Sequence, residues 1–253
     1  MKIMVPVKLV PDLVENLEVA QDGSELDRDS VRLILSEPDE HALEQALLLK
    51  KQNDEITVVA PGVLEAENVL FVASAKGADR LIKLTNSFGK GFNCHALARA
   101  LGGIATELHP DLILTGVQAH DDLDGSLGPL LAGFLDLPYV GNVAGISAAN
   151  GRATVRKEYS GGLIAEMDIS LPAVVGIVAA EKPPRYVAVS KVRQSAKTAI
   201  VEPYPVGELD PSGGIELDRM YKPEIVERAT MIEGTVEQIA ARLIEILKEL
   251  DIF

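Results

Sequence analysis

No tryptophan occurs in the 253 residues, the other aromatics are five tyrosines and five phenylalanines, and there is a single cysteine, Cys94. A lone thiol closes no internal disulfide and supplies neither a multi-thiolate metal site nor an iron–sulfur cluster, so a reducing compartment fits. So few rings exclude a base-stacking platform or an aromatic-lined sugar site, which leaves backbone and aliphatic contacts to do most of any binding. Basic residues are also outnumbered. The 24 Lys and Arg against 38 Asp and Glu leave a net charge of −14, a field that repels phosphate backbones and anionic lipid. No nucleic-acid partner is expected. Charged or turn residues interrupt every apolar run before the ~18 residues that a membrane span needs, so no membrane insertion is expected either. Also absent are a G-x-G-x-x-G after the first strand, a Walker lysine and a G-x-S-x-G elbow, so no standard phosphate motif or serine nucleophile is present.

What remains is an ordinary globular composition, 47% hydrophobic and 25% charged, with length for one or two domains at roughly 100–200 residues each. Met1 to Val5 enters an apolar strand directly, without the charged and apolar regions of a signal peptide. The expected location is the cytoplasm of a bacterium or archaeon.

Ile3 to Val10 reads as a buried strand with Pro6 as its irregularity. Residues 12–30 form an acidic excursion, and Val31 to Leu35 a short extra strand. Pro38 at a first helical position, with Asp39 and Glu40 beside the positive helix end, announces a helix to about Lys51. Glu55–Ala60, a helix from Leu64 to Lys76 stopped by Gly77, and the strand Arg80–Leu84 follow. Asn93 caps a helix to Leu108, and Asp111–Thr115 is the next strand. Alternating elements of these lengths predict an α/β fold. It is a Rossmann-like parallel sheet with right-handed crossovers and helices on both faces.

A helix is expected over 125–136 with Asp124 as its cap, and then the period changes to two. Asn150-Gly151 predicts a hairpin between Val140–Ala148 and Ala153–Glu158, and Leu163–Ile169 alternates, giving an antiparallel edge. Leu171–Ala179 is a strand or buried run. From Glu181 onward about fifty proline-dotted residues show no clear period. Thr235–Leu250 closes the chain as a helix whose apolar stripe needs a cover. The expected domains are 1–195, nucleotide-binding, and 196–253, an extended arm ending in a helix that packs on a partner.

In doubly wound sheets the ligand crevice lies at the carboxyl ends of strands where strand order reverses. Those ends are Lys8–Asp12 and Gly116–Leu127. His120, Asp121, Asp122 and Asp124 have residue types and spacings that suit a metal. They also read as solvated or capping acids, or as ribose-binding carboxylates beside a helix start that offers the amides of Gly125 to Leu127 to phosphate. Cys94 has no activating neighbour in sequence and reads as packed. His41, His95 and His109 read as helix-surface residues, and Glu37, Asp39, Glu40 and Glu44 as first-turn acids.

The motifs Lys2–Lys8, Asp39–Glu44, Lys76–Arg80, Pro110–Gly116, Gln118-Ala119, Asp121–Asp124, Leu171–Val175 and Pro184-Arg185-Tyr186 together resemble the beta subunit of electron transfer flavoproteins. The likeness runs in order to about residue 200 and returns weakly in the last helix. It implies a heterodimer with an alpha subunit that holds most of a shared FAD, this chain forming a shallow bowl beneath it. The couple would carry electrons from flavin dehydrogenases to a quinone reductase or another acceptor, without a substrate-transforming site in this subunit.

The resemblance places AMP, or in electron-bifurcating members a second FAD, in the crevice. The contacts would fall on Pro6, Val7, Lys8, Ser36, Glu37, Pro38, Asp39, Pro61, Gly116, Val117, Gln118, Ala119, Asp121, Asp122, Asp124, Gly125, Ser126 and Leu127. It places partner docking on Arg185, Tyr186 and an apolar anchor, Val189, in an irregular loop. Departures mark a divergent paralogue. Val117 stands for the usual lysine, Gly125-Ser126-Leu127 for Asn-Gln-Thr, Ser36-Glu37-Pro38 for Asn-Pro-Phe, Leu13 for an aromatic near the flavin, and Val189 for leucine. Two other classes share parts of this pattern. An ATP pyrophosphatase or nucleotidyltransferase would need a Ser/Gly-rich loop where Val10–Leu13 lies, and an adenine-nucleotide sensor module would be self-sufficient and shorter.

Overall fold

A computed structural model describes residues 1–27, 31–85, 88, 92–223, 229 and 231–252. The elements in chain order are β1 (Lys2–Pro6), β2 (Leu9–Pro11), β3 (Leu33–Leu35), α1 (Glu37–Leu49), β4 (Glu55–Pro61), α2 (Ala66–Lys76), β5 (Arg80–Thr85) and α3 (Cys94–Leu108). Then come β6 (Leu112–Gly116), α4 (Leu127–Leu135), β7 (Tyr139–Ala149), β8 (Arg152–Tyr159), β9 (Leu163–Ser170), β10 (Ala173–Ile177), α5 (Val189–Thr198), β11 (Val201–Pro205) and α6 (Val236–Glu249).

Nine strands form one sheet in the order β11-β5-β4-β1-β6-β10-β7-β8-β9. Every pairing from β11 to β7 is parallel, and β8 alone runs antiparallel to its two neighbours. The period-two pleat divides the core. From β1, Ile3 and Val5 join Leu43, Ala46 and Leu70 of α1 and α2, while Met4 joins Leu97, Leu101 and Leu131 of α3 and α4. Helices therefore cover both faces, as the alternating sequence implies, and each large side chain fully buried there contributes roughly 1.5–3 kcal/mol. Asn150 and Gly151 both take positive φ, 53° and 73°, the twist that a two-residue hairpin between β7 and β8 requires.

Some boundaries differ from the sequence reading. α2 opens at Ala66 because Glu65 sits left-handed at φ 63°. α4 opens at Leu127, with Ser126 rather than Asp124 at the N-cap, because Gly125 turns left-handed at φ 59° just before it. The larger difference lies beyond Glu181, where the structure forms α5 and then β11, paired in parallel with β5 at the sheet's edge. Among the described residues, α5 buries none, and it carries only three apolar residues, Val189, Val192 and Ala196, so little apolar signal marks it. The prolines 203 and 205, read as breakers, suit an edge strand, where a missing N–H breaks no ladder.

Two compact units result, Met1–Arg219 and Met220–Phe253. Residues 196–205, expected in the arm, thus complete the sheet unit. In the second unit, α6 is held at its start by a capping box between Thr235 and Gln238, and none of its residues is buried. No helix among the described residues is long and apolar enough to cross a membrane.

Candidate functional site

β1 lies between β4 and β6, so the chain leaves it toward one side first and returns on the other, and the carboxyl ends of β1 and β6 part at that point. Asp39, in the first turn of α1, closes the gap. Its Oδ2 accepts the Lys8 amide at 2.9 Å and its Oδ1 the Gly116 amide at 3.0 Å, so one buried carboxylate ties both strand ends to the helix start. Gly116 allows this approach: a Cβ there would lie 2.5 Å from Asp39 Oδ1 and 2.8 Å from Pro38 Cβ. Burial pushes the Asp39 carboxyl up to about 7, against the pull of the two amides.

Beside it opens a small crevice lined by Pro6, Val7, Lys8, Asp39, Val59, Pro61, Leu97, Leu101 and Leu127. Six of these, Pro6, Val7, Lys8, Asp39, Pro61 and Leu127, belong to the set expected from sequence. Val59, Leu97 and Leu101 were missed, because their periodicity gives them the same signature as any core aliphatic. Ser36 adjoins the site through its amide on the Lys8 carbonyl at 2.9 Å. The Ser36 hydroxyl is buried with no partner, as is that of Thr115 at the end of β6. Glu37 is exposed and Pro38 packs toward Gly116.

The loop 116–127 is organised from within. Lys8 Nζ contacts Asp121 at 2.7 Å and Asp122 at 2.6 Å. Burial alone would lower the Lys8 ammonium, but the two carboxylates outweigh it and raise it above the usual lysine value. Asp122 also accepts the Ala119 amide at 3.0 Å, Gln118 donates to the Asp122 carbonyl at 3.2 Å, and the His120 ring meets the Pro11 carbonyl at 2.7 Å. Asp124 accepts the Ser126 amide at 3.2 Å and a hydrogen bond from Cys94; despite burial, these hold its carboxyl below the usual range. Burial, with Asp122 and Asp124 nearby, pushes the Cys94 thiol up to about 12, so it is no ready nucleophile. Of the side chains that read as a metal cluster, Asp121 and Asp122 share Lys8 while His120 and Asp124 turn to other partners, and among the described residues no three His, Cys, Asp or Glu are grouped to hold a metal ion. Val117 is half-buried. With the Ser126 amide occupied by Asp124, those of Gly125 and Leu127 have no partner among the described residues.

Exposed aliphatics follow the carboxyl ends of three central strands, Leu64 after β4, Leu123 after β6 and Val178 after β10, and Leu13 and Val14 follow β2, which pairs with β3 in a separate two-stranded sheet. An apolar rim on the crevice side of a monomer marks a surface made to be covered.

Residues 25–208 match the family described as electron transfer flavoprotein domain. The chain is 33% identical over 262 residues to the electron transfer flavoprotein subunit beta of Methylophilus methylotrophus, with 98% of each chain covered. The chain belongs to the electron transfer flavoprotein family, among its beta subunits. It is also similar to the mitochondrial beta subunit of Oryza sativa subsp. japonica, 29% identical over 248 residues with 96% and 97% covered. With the beta subunit of Sus scrofa it shares 27% over 254 residues, covering 99% and 95%.

The second region that the resemblance singles out in this flavoprotein subunit is laid along α1. His41, Glu44 and Gln45 share one helical face and each accepts a backbone amide from the segment after β10: Ala180 on His41 Nδ1 at 3.1 Å, Arg185 on Glu44 at 3.0 Å, Glu181 on Gln45 at 3.0 Å. The Arg185 guanidinium adds a fork onto both Glu44 oxygens, at 2.8–3.1 Å. Burial would raise the Glu44 carboxyl, but Arg185 outweighs it and holds it below its usual value. Glu44 is therefore not a solvated acid of the helix start, and Arg185 points inward as a fastener. Tyr186 and Val189 point out, 87% and 60% exposed. Val189 is the first residue of α5 rather than part of an irregular loop.

Proposed function

We propose that this chain is the beta subunit of a heterodimeric electron transfer flavoprotein, taking electrons from flavin dehydrogenases and delivering them to a quinone reductase or another acceptor. The observation that carries the reading is the crevice at the strand-order reversal, built from residues expected in this family's nucleotide site, in a chain that aligns with its beta subunits from end to end. An alpha subunit, holding most of a shared FAD, would cover the aliphatic rim, and α6 offers it a second apolar face.

Bound FAD supplies all the redox chemistry. This chain's residues position and shield. Pro6, Val7, Pro61 and Leu127 would pack on an adenine, and the Gly125 and Leu127 amides at the start of α4 would face phosphate. The buried hydroxyl of Ser36 is an orphaned polar group that a polar ligand could satisfy. The reading takes AMP rather than a second FAD. The absent side chain of Gly125 leaves no extra room, since a Cβ there would meet Gln118 atoms at 2.9 Å.

Co-expression with the neighbouring alpha-subunit gene, followed by mass spectrometry of the denatured complex, tests this. One FAD and one AMP per heterodimer is the expected result. Two FAD would favour an electron-bifurcating role, and a colourless nucleotide-bound homodimer would refute the reading in favour of a nucleotide sensor.

A further inference from the structure

Of the three side chains on α1 that accept amides from the segment after β10, one is a histidine, and the bond it makes excludes a proton. The Ala180 N–H can only donate, so the His41 Nδ1 that meets it at 3.1 Å must keep its lone pair there, with the ring's hydrogen on Nε2. An imidazolium donates from both nitrogens and accepts from none. Proton uptake by His41 and its bond to Ala180 therefore exclude one another. His41 is half-buried, so solvent protons reach it.

The stretch that this bond holds has few other fastenings. Residues 178–188 form neither helix nor strand. Val178 donates to the Val143 carbonyl at 3.0 Å, and beyond it the amides of Ala180, Glu181 and Arg185 go to His41, Gln45 and Glu44. Only histidine among these acceptors ordinarily exchanges a proton between about pH 5 and 8. Gln45 does not titrate, and Arg185 holds the Glu44 carboxyl below its usual range. The packing here is also incompletely satisfied, since the buried Nε2 of Gln45 has no partner.

We propose that His41 is a proton-operated fastener, which holds residues 178–185 on α1 while its ring is neutral and lets them lift when the ring takes up a proton. Tyr186, 87% exposed at the end of the stretch, is then presented in a pH-dependent way. The charges around the ring are few. On α1, Glu37 and Glu44 lie one turn to either side, and Glu40 pairs with Lys76 of α2. The held stretch brings Glu181, Lys182 and Arg185. Of the strands that α1 packs on, β6 and β10 carry no titratable side chain, β7 only Tyr139, and β1 only Lys2, whose amine turns to the Leu108 carbonyl. Glu37 is exposed and offers a counter-charge to the imidazolium. Asp39 titrates in the same range, but it faces the Lys8 and Gly116 amides. The proposal stands on this geometry, whatever ligand or partner the chain takes.

The test is hydrogen exchange of the full-length chain, read by mass spectrometry near pH 8 and pH 5 as protection relative to the intrinsic rate at each pH. Peptides covering 178–185 should lose protection roughly tenfold at the lower pH, about what one hydrogen bond is worth, while those of β6 keep theirs. His41→Asn places an oxygen where Nδ1 lies, matches histidine in helix propensity and cannot take up a proton in this range, so its protection should be the same at both pH values. His41→Leu offers no acceptor and should show the low value at both.

A loss at low pH that persists in His41→Asn assigns the effect to Asp39 or another acid and overturns the proposal. Wild-type protection that does not change with pH overturns it too, as does full protection of 178–185 in His41→Leu near pH 8. Nitrogen NMR of the histidine-labelled wild type gives a reading free of any variant's folding. Every histidine carrying a proton on Nδ1 near pH 8 would leave no bare nitrogen to accept from Ala180, and the fastener would fall.

Discussion

Asp39 Oδ1 accepts the Gly116 amide at 3.0 Å, in the same place where a side chain on Gly116 would collide with that oxygen at 2.5 Å. The bond that joins β6 to α1 and the absence of a Cβ are thus one requirement. Gly116→Ala should push the first turn of α1 from the sheet, at a cost of roughly 1–3 kcal/mol. Thermal unfolding, which should shift down by several degrees, checks this. An unchanged midpoint would show that α1 gives way without cost.

The same carboxylate predicts a pH dependence. The Asp39 carboxyl, ordinarily near 3.8, is pushed to about 7 by burial. Between those values the folded chain keeps a proton that the unfolded chain has released. Stability from this group is therefore greatest at low pH and falls as pH rises toward 7, by a few kcal/mol at most at ~1.36 kcal/mol per unit. Lowered acids such as Glu44 and Asp54 work in the opposite sense, so the measurement is a difference. Asp39→Asn should be destabilised relative to wild type at pH 5, because an amide cannot accept from both backbone groups, and the gap should narrow by pH 8. A gap independent of pH would mean that Asp39 is ionised throughout.

Glu44 is buried while Arg185 is 40% exposed on its side chain, so their pair is only partly shielded from water. Glu44→Gln should cost about 1–3 kcal/mol, the range for a hydrogen bond to a charged group. Its sharper effect is local. Amides of Ala180, Glu181 and Arg185 should exchange hydrogen at least tenfold faster, while those of β1 and β6 are unaffected. Uniform acceleration across the chain would point to global loosening instead.

The central strands were legible because burial on both faces makes β1, β4 and β6 continuous apolar runs, and the Asn150-Gly151 turn because its two positive φ values demand those residues. The crevice was legible in position, since strand order alone places it. Its contacts were less so. Asp39 looks in sequence like any acid in a first helical turn, and only the parting of β1 and β6 turns it into a bridge. Glu44 likewise differs from a solvated acid only by a partner 141 residues away. α5 and β11 escaped notice for a shared reason: one buries no side chain and the other carries prolines that only an edge strand accepts.

That oversight changes where the chain should be cut to ask what α6 does. Truncation after residue 195 would sever α5 and remove β11 from its ladder with β5, damaging the sheet unit and making any loss of assembly uninformative. Truncation after Arg219 follows the division between the compact units instead. None of the described residues beyond it is buried, so little core is lost, and the shortened chain should unfold within a few degrees of the full one. Yet α6 carries Val236, Leu243 and Ile244 exposed on a helix with a strongly one-sided apolar pattern, and Met231, Leu250 and Ile252 add to that surface. A solvated helix gains nothing from such a stripe, whereas a helix laid on another subunit buries it. The shortened chain should therefore fold normally but fail to co-purify with the alpha subunit and its flavin. Recovery of a stable yellow complex from it would show that the aliphatic rim alone holds the heterodimer together.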